Sequence, residues 1–196
     1  GSNEQLIETA GPIFSGVSIA DVNNSGTNNV VLSCRNSSTG GGILYCWDAT
    51  TGNNIDGFPV NLNSYTRSGV SIGDIDCDGN LELVFAGYDG CLYAVNHDGT
   101  TASGFPVPVP PCNQLSGQVA LGDIDNDWKL EIVFGEAENS VLHCYEMGEN
   151  SAYTSLPWPQ FQFDAMNSGC YVEVDVPPAP PSNLQGSLVP IGDKAR

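Results

Sequence analysis

The sequence has few basic residues, only two histidines and no long apolar run. Of its 196 residues, 5 are Lys or Arg and 23 are Asp or Glu, which gives a formal net charge of −18. Nucleic acids and anionic membranes bind basic protein surfaces, so neither is an expected partner. No stretch approaches the roughly 18–20 apolar residues of a membrane-spanning helix. An acidic chain with so little compensating charge is instead expected to attract cations.

Zinc binding is poorly supported, whereas the cysteine content indicates an oxidising compartment. The sequence has no C-x-x-C pair to supply a zinc site. Its 7 cysteines are many for a cytosolic protein of this size and favour secretion. Cys34 and Cys46 are expected close enough across a hairpin to form a disulfide, although the sequence leaves the connectivity open. The odd total leaves at least one thiol without an intrachain partner, either free or in an intermolecular bridge. Asn23 and Asn36 each begin an N-x-S sequence that could accept a glycan.

An internal repeat organises most of the chain. Three similar segments are led by Asp21, Asp74 and Asp123, each preceded by a short strand-like run and followed by a second one. These aspartates are roughly 50 residues apart, a spacing typical of repeat architectures. The predicted divisions are a lead-in at 1–12, three repeats at 13–62, 63–111 and 112–161, a C-terminal strand at 162–176, and a proline-rich linker opening a further segment at 177–196.

Each repeat has the pattern of short β-strands separated by turns, and no segment shows a sustained helical period. In the second repeat, Leu81–Phe85 and Cys91–Val95 have strand composition and are joined by an Asp-Gly turn. Gly104–Val107 suits an edge strand, where proline is tolerated. Three or four short antiparallel strands in about 40–50 residues are typical of a β-propeller blade. The predicted fold class is therefore all-β, with about three propeller-type blades.

The number of blades raises the question of how such a propeller would close. Propellers usually have about four to eight blades, more than the repeats visible here. The propeller is therefore expected to be incomplete, to use divergent terminal strands, or to be completed by other chains. In the last case, open sheet edges and the alternating segment Tyr171–Val176 could support self-assembly by strand addition.

Oxygen-rich loops are the strongest chemical signal in the repeats. Calcium is a hard cation that takes about six to eight oxygen ligands. In the second repeat, oxygen-bearing residues occupy alternate positions of a loop, and Gly79 at the sixth position permits a sharp turn. The predicted ligands are the side chains at positions 1, 3, 5 and 9 and the backbone carbonyl at position 7. These residues are Asp74, Asp76, Asp78, Asn80 and Glu82.

The other two loops repeat this pattern with differences. In the third repeat Trp128 replaces the glycine, which predicts a strained or adjusted turn that alters affinity rather than ligand identity. The predicted ligands of that loop are Asp123, Asp125, Asp127, Lys129 through its carbonyl, and Glu131. The first loop keeps oxygen atoms with only one carboxylate, so it either binds weakly or is held by its own hydrogen bonds. Its residues are Asp21, Asn23, Ser25, Thr27 and Asn29.

Two other interpretations of these loops are weaker. An EF-hand requires a bidentate glutamate at position 12, where the three loops have Leu32, Phe85 and Phe134, and no helix follows. Asp and Gly also form ordinary turns, but one such turn needs only one acid. The four acids of the second loop would repel one another without a cation, so calcium is the favoured cofactor.

The repeat resembles a known family. The run from Ser68 to Gly79, Ser-Gly-Val-Ser-Ile-Gly-Asp-Ile-Asp-x-Asp-Gly, is similar to the FG-GAP/VCBS repeats, the calcium-loop blades of integrin alpha-subunit propellers and of many secreted bacterial proteins. The similarity extends over about residues 13–160. It implies propeller blades whose aspartate loops bind Ca²⁺ and hold the architecture together, and an extracellular location.

The sequence favours a non-catalytic function. Gly69–Gly73 matches the G-x-S-x-G nucleophile elbow of hydrolases, but that motif needs a strand turning into a helix, and here an aspartate loop follows Ser71. His97 and His143 are expected to be surface or satisfied histidines rather than general bases. The leading interpretation is a calcium-stabilised module, secreted or on the cell surface, for adhesion or for assembly of a surface structure or fibre, with a protein or glycan ligand left open. The alternative is an accessory propeller domain of a secreted hydrolase or polysaccharide lyase.

Overall fold

The computed structural model describes residues 6–110, 114–125, 127–136, 140–148, 156–157 and 159, and the predicted all-β class is confirmed for them. No helix that could span a membrane was found in this part of the chain. Its strands are β1 (Ser18–Ala20), β2 (Asn29–Arg35), β3 (Gly42–Asp48), β4 (Val60–Leu62), β5 (Ser71–Gly73), β6 (Glu82–Ala86), β7 (Cys91–Asn96), β8 (Val107–Pro108), β9 (Ala120–Gly122), β10 (Glu131–Gly135) and β11 (Leu142–Glu146).

The strands form three antiparallel sheets in which neighbours in sequence are neighbours in space. The first sheet has the order β1-β2-β3-β4, the second β5-β6-β7-β8, and the third β9-β10-β11. Each sheet draws its strands from one predicted repeat. The short strand β8 contains a proline and lies at a sheet edge, where the missing proline N–H removes no ladder hydrogen bond.

These three sheets do not by themselves form a closed propeller, since closure takes about four or more blades. The described residues place β1 beside β5 and β5 beside β9, so the first strands of successive sheets are adjacent. The predicted C-terminal strand at 162–176 and the segment at 177–196 lie outside the described residues. Propeller-type blades therefore remain a prediction, while the three sheets are observed.

Two apolar cores lie between the sheets and hold them together. Both cores are mostly aliphatic, and each has aromatic members from the later of its two sheets. Between the first and second sheets, Val31, Leu44 and Cys46 share a core with Phe85 and Tyr93. Between the second and third sheets, Val84, Leu92 and Ala94 share a core with Ile132 and Phe134. A sheet of this size cannot bury a face alone, so each stabilises its neighbour.

The outer faces of the first and third sheets differ in how they are covered. On the first sheet, Tyr45 and Trp47 stack at 4.7 Å and are buried beneath the segment 6–14, whose Ala10 N–H donates to the Tyr45 hydroxyl at 3.2 Å. On the third sheet, Leu142 is 74% exposed, whereas its register equivalents Leu44 and Leu92 are fully buried. The described residues thus leave the outer face of the third sheet uncovered.

A repeated serine hydrogen bond connects adjacent sheets. The Ser18 hydroxyl donates to the Val70 carbonyl, and the Ser71 hydroxyl donates to the Val119 carbonyl. Ser71 is fully buried and also accepts a hydrogen bond from Gln118 Nε2 at 3.0 Å. Its hydroxyl therefore links two sheets, which gives the serine of the G-x-S-x-G pattern a structural role.

The predicted disulfide between Cys34 and Cys46 is wrong. In the β2–β3 ladder Cys34 is opposite Ile43 and Cys46 is opposite Val31, so the two cysteines are not cross-strand partners. Both are buried free thiols, and burial raises the pKa of Cys46 to about 12. Cys91 and Cys144 are also free thiols. These four cysteines act as small apolar or half-buried side chains in this structure.

Two glycines at equivalent positions test whether the turn at Gly57 in the first sheet packs against the turn at Asp98 in the second. Gly57 and Gly104 both precede a Phe-Pro-Val run and have φ values of 86° and 85°. A Cβ on Gly57 would lie 1.8 Å from the Asp98 carbonyl oxygen, whereas a Cβ on Gly104 would meet nothing within 4 Å. Positive φ costs an alanine about 1–2 kcal/mol at either site. Only Gly57→Ala adds a backbone clash, for about 1–3 kcal/mol more.

We therefore expect Gly57→Ala to destabilise the protein clearly more than Gly104→Ala, as measured by urea unfolding of both variants and the parent. Equal losses of stability for the two variants would show that the close approach of Gly57 to Asp98 does not contribute to the free energy of unfolding.

Candidate metal centres

Each candidate loop connects the first strand of its sheet to the second. Each loop has nine positions, from the leading aspartate to the first residue of the second strand. They run from 21 to 29, from 74 to 82 and from 123 to 131. The first loop position follows β1, β5 or β9, and the ninth begins β2, β6 or β10. The sheet therefore fixes both ends of every loop.

The backbone turns in the same way at the sixth position of all three loops. Gly26 has a φ of 82°, Gly79 of 88° and Trp128 of 70°. Trp128 thus adopts the left-handed conformation that the two glycines adopt without a Cβ penalty, and its side chain is 79% exposed. The predicted strained turn is present at Trp128, and the path of the loop is retained.

Two side chains tie each loop together through backbone N–H groups. The leading aspartate accepts from the N–H of the sixth residue, at 2.7 Å for Asp21, 3.2 Å for Asp74 and 3.1 Å for Asp123. The ninth residue accepts from the N–H of the second, as Glu82 does from Ile75 at 2.9 Å and Glu131 from Ile124 at 2.8 Å. In the first loop Asn29 takes this place and accepts from Val22 N–H at 2.8 Å.

Carboxylates converge in the second and third loops. In the second loop, one oxygen from each of Asp74, Asp76 and Asp78 lies within 4.8 Å of the others. In the third loop, Asp123, Asp125 and Asp127 form the same arrangement. Positions 1, 3 and 5 thus converge as the alternating sequence predicted. Such a set of hard oxygen donors fits a hard divalent cation.

The ninth-position glutamates are placed differently from the aspartates. Glu82 and Glu131 are buried, at 1% and 2% exposure, and neither belongs to the mutual 4.8 Å clusters. Burial, together with the charges of the loop aspartates, raises the pKa of Glu82 to about 8 and that of Glu131 to about 7, although the hydrogen bonds from Ile75 and Ile124 favour the ionised form. Both glutamates therefore hold the loop backbone in place, through the hydrogen bonds that they accept from it.

One glutamate oxygen in the third loop is left for a further partner. Glu131 Oε2 accepts from Ile124, but Glu131 Oε1 is buried and makes no hydrogen bond among the described residues. A buried acceptor without a partner is costly, and a cation in the loop would compensate it. This orphaned oxygen and the donor set of the aspartates both fit a bound metal ion.

The residue at position 7 makes the same backbone hydrogen bond in both acidic loops, but its side chain is charged only in the third. Asn80 donates its backbone N–H to Asp78 Oδ1 at 2.7 Å, and Lys129 donates to Asp127 Oδ1 at 2.9 Å. The Lys129 ammonium also pairs with Asp127 at 3.2 Å and with Glu146 at 3.0 Å. Its positive charge partly neutralises the third loop, so this loop is expected to hold a cation more weakly than the second.

The first loop is held by internal hydrogen bonds. The two oxygens of Asp21 accept from Ser25 N–H and Gly26 N–H at 2.8 and 2.7 Å. The Ser25 and Thr27 hydroxyls lie 2.9 Å apart, and the Asn23 side chain is exposed. With one carboxylate, the loop forms no acidic cluster. This geometry favours the alternative in which the first loop is held by its own hydrogen bonds.

Residues that face the loops from the third strand of each sheet were not among the predicted site residues. The register places Asp48 opposite Asn29, Asn96 opposite Glu82 and Glu146 opposite Glu131. Asp48 accepts from the Thr27 hydroxyl at 3.0 Å, as Glu146 accepts from Lys129. The available signal was a polar residue ending an otherwise apolar strand in each repeat.

The two histidines do not form a catalytic site with Ser71. His143 Nε2 lies 2.8 Å from Glu136 Oε1, and its ring stacks on Phe134 at 5.2 Å. His97 is half-buried in the turn after β7, next to Asp98. Among the described contacts of the Ser71 hydroxyl, the partners are the Val119 carbonyl and Gln118 Nε2 rather than an imidazole.

The fold and loops define an all-β repeat protein with acidic loops between the first two strands of its sheets. No protein-family model and no curated protein matches the sequence. Among solved structures, the chain is similar to the crystal structure of the V. cholerae biofilm matrix protein Bap1, with a TM-score of 0.50 and 20% sequence identity. The match covers 74% of this chain and 24% of the Bap1 chain. At this identity the likeness shows a shared fold, over about a quarter of that protein's length.

The strained residue Trp128 gives a direct test of the loop geometry. We expect Trp128→Gly to stabilise the metal-free protein relative to Trp128→Ala by about 1 kcal/mol, because both remove the exposed indole and only glycine relieves the positive φ. Urea unfolding in the presence of a chelator measures the difference. If the alanine variant were as stable as the glycine variant, the left-handed turn at this position would be ruled out.

Proposed function

We propose that this chain is a calcium-stabilised, non-catalytic β-repeat module of the FG-GAP/VCBS type, which acts outside the cell in adhesion or in the assembly of a surface structure or matrix. The observation that carries the proposal is the pair of carboxylate clusters, Asp74, Asp76 and Asp78 in one loop and Asp123, Asp125 and Asp127 in another. Both clusters occur at equivalent places in a repeated sheet.

The donor chemistry supports calcium over other divalent ions. All side-chain ligands offered are oxygens, whereas zinc prefers cysteine and histidine. The loops are irregular and can supply a backbone carbonyl at position 7, which suits the variable coordination of Ca²⁺ better than the strict octahedral demand of Mg²⁺. Bound calcium would neutralise aspartates that otherwise repel one another.

The position of the loops supports a structural role for the ion. Each loop joins the first strand of its sheet, which lies toward an adjacent sheet, to a second strand that carries core residues. Ile75, at the second position of the second loop, and Leu83, directly after that loop, are fully buried in different cores. Calcium binding would therefore stabilise both inter-sheet cores by fixing one hairpin.

The propeller-type arrangement and the matrix role are supported by packing and by the fold comparison. Faces of adjacent sheets pack in a regular order, and the exposed face of the third sheet at Leu142 matches those that receive a following sheet. Bap1 is described as a biofilm matrix protein, and the shared fold is compatible with a matrix role for this chain.

Thermal unfolding with and without calcium tests the proposal. Ca²⁺ at about 100 times its Kd would stabilise the native state by about 2.7 kcal/mol for each site, which corresponds to a rise in Tm of at least about 5 °C for a protein of this size. Mg²⁺ at the same concentration should give a smaller rise. Measurements by calorimetry, with a chelator as the reference condition, provide both values.

Matched variants distinguish the effect of the loop carboxylates on the calcium-dependent rise in Tm from the effect of net charge. Asp76→Asn and Asp125→Asn should each reduce the calcium-dependent rise in Tm, with the larger loss at Asp76 because Lys129 already competes in the third loop. Asp56→Asn removes one exposed acid outside the loops and should leave the rise unchanged. The same Tm in calcium and chelator, or an equal effect of Asp56→Asn, would contradict the proposal.

A further inference from the structure

A cluster of arginine and aromatic side chains lies at the end of the sheets away from the acidic loops. The loops join the end of β1 to the start of β2 and the end of β5 to the start of β6. The cluster occupies the other ends: its residues precede β1 and β5, end β2 and follow β6. The residues of this arginine–aromatic cluster are Phe14, Arg35, Tyr65, Arg67 and Tyr88.

The side chains of the cluster form a connected row across the first and second sheets. Tyr65 and Tyr88 stack with ring centroids 4.8 Å apart. The Arg35 guanidinium lies 5.3 Å from the Tyr65 ring, and that of Arg67 lies 4.7 Å from Tyr88 and 5.8 Å from Phe14. Stacking of this kind holds a guanidinium in place while its N–H groups remain available.

The two guanidinium groups have no anionic partner in the described part of the chain. The ion pairs found there belong to Lys129 and His143, and the side chains of Arg35 and Arg67 are exposed. Asp89, which follows Tyr88 in the sequence, accepts from the Tyr93 hydroxyl at 2.6 Å. In a protein with 23 acidic residues and 5 basic ones, two unpaired arginines side by side form an unusual local excess of positive charge.

The cluster also departs from the internal repeat. Counted from the leading aspartates, Arg35 in the first repeat is equivalent to Tyr88 in the second, and Phe14 is equivalent to Arg67. Loop and core positions carry similar residues in both repeats, as at Ser18 and Ser71. Because the exchange of arginine and aromatic residues is not required by the repeated fold, it points to a role for this surface other than packing.

We propose that the arginine–aromatic cluster is a binding site for an acidic glycan. A guanidinium donates two parallel N–H bonds to a carboxylate or sulfate group. Phe14 is 48% exposed and offers an apolar surface to the C–H face of a sugar ring, while the hydroxyls of Tyr65 and Tyr88 can bond sugar hydroxyls. An aromatic surface with a few oriented polar groups is the usual composition of a small-molecule or saccharide site.

An acidic glycan accounts for this surface better than other anionic polymers. Nucleic acids require many phosphate contacts from a basic surface, which a chain of net charge −18 does not provide. An acidic peptide would use the two arginines but not the exposed aromatic ring beside them. The proposal supplies a ligand class for the proposed matrix function, but it does not depend on calcium in the loops.

Binding of defined polymers to the full chain tests the site, at one constant calcium concentration. The probes are polygalacturonate, dextran sulfate, neutral dextran and poly-glutamate, with binding measured by biolayer interferometry or calorimetry. We expect binding to the carboxylated or sulfated glycan, and weaker or no binding to dextran and to poly-glutamate. Arg35→Gln and Arg67→Gln should each lower the affinity at least about tenfold, and Arg67→Lys should restore only part of it.

The control variant is Asn53→Asp, which changes the net charge by the same amount as Arg→Gln at an exposed position after β3, on the side of the acidic loops. It should bind the glycan as the parent does, and all variants should keep the parent's Tm within about 2 °C. An equal loss for Asn53→Asp, tight binding of poly-glutamate, or no binding of either acidic glycan by a folded protein would each overturn the proposal. Failure of the calcium-dependent rise in Tm would leave this result unaffected.

Discussion

The carboxylates held within 4.8 Å of one another in the second and third loops are the constraint on which the rest of the structure depends. Like charges at this distance repel, and the loops keep them together through backbone N–H donors to the leading aspartate and through a buried glutamate that accepts from the second residue. The repulsion is therefore opposed by hydrogen bonds of the loop itself. A divalent cation bound by these carboxylates would remove the repulsion, and this would connect cation binding in the loops with the stability of the sheets.

The sheets depend on these loops because no sheet is stable alone. The apolar cores lie between neighbouring sheets and draw on both, so burial is completed only between sheets. The loops fix the first strand against the second, and the first strands carry the serine hydrogen bonds from Ser18 to Val70 and from Ser71 to Val119. Loop geometry is thereby coupled to inter-sheet packing.

The two ends of the sheets carry opposite chemistry. The loop end collects carboxylates, while the other end holds the arginine–aromatic cluster. The separation keeps the arginines from being neutralised by the loop acids, since exposed charges more than about 8–10 Å apart are largely screened at physiological ionic strength. A structural site for cations and a recognition site for anions can therefore exist in one small protein.

Much of the fold could be predicted from local pattern. Strand composition, Asp-Gly turns and the repeated spacing of Asp74 and Asp123 indicated the strands and their order, because antiparallel neighbours are joined by short turns. The alternate spacing of the aspartates also predicted that positions 1, 3 and 5 would converge. The disulfide prediction failed because ladder register, which is set by both strands together, places Cys34 and Cys46 opposite other residues.

The sequence by itself determined the all-β class, the repeat and the acidic loops, since each follows from residues within a few positions of one another. Only the tertiary structure decided that the ninth-position glutamates hold the backbone, that Lys129 reaches Glu146, and that Arg35 meets Tyr65 from the next repeat. The glutamate bonds lie within one loop whose ends the sheet fixes, and the other two contacts join separate segments of the chain. Their geometry depends on how whole sheets pack against each other, which no local pattern specifies.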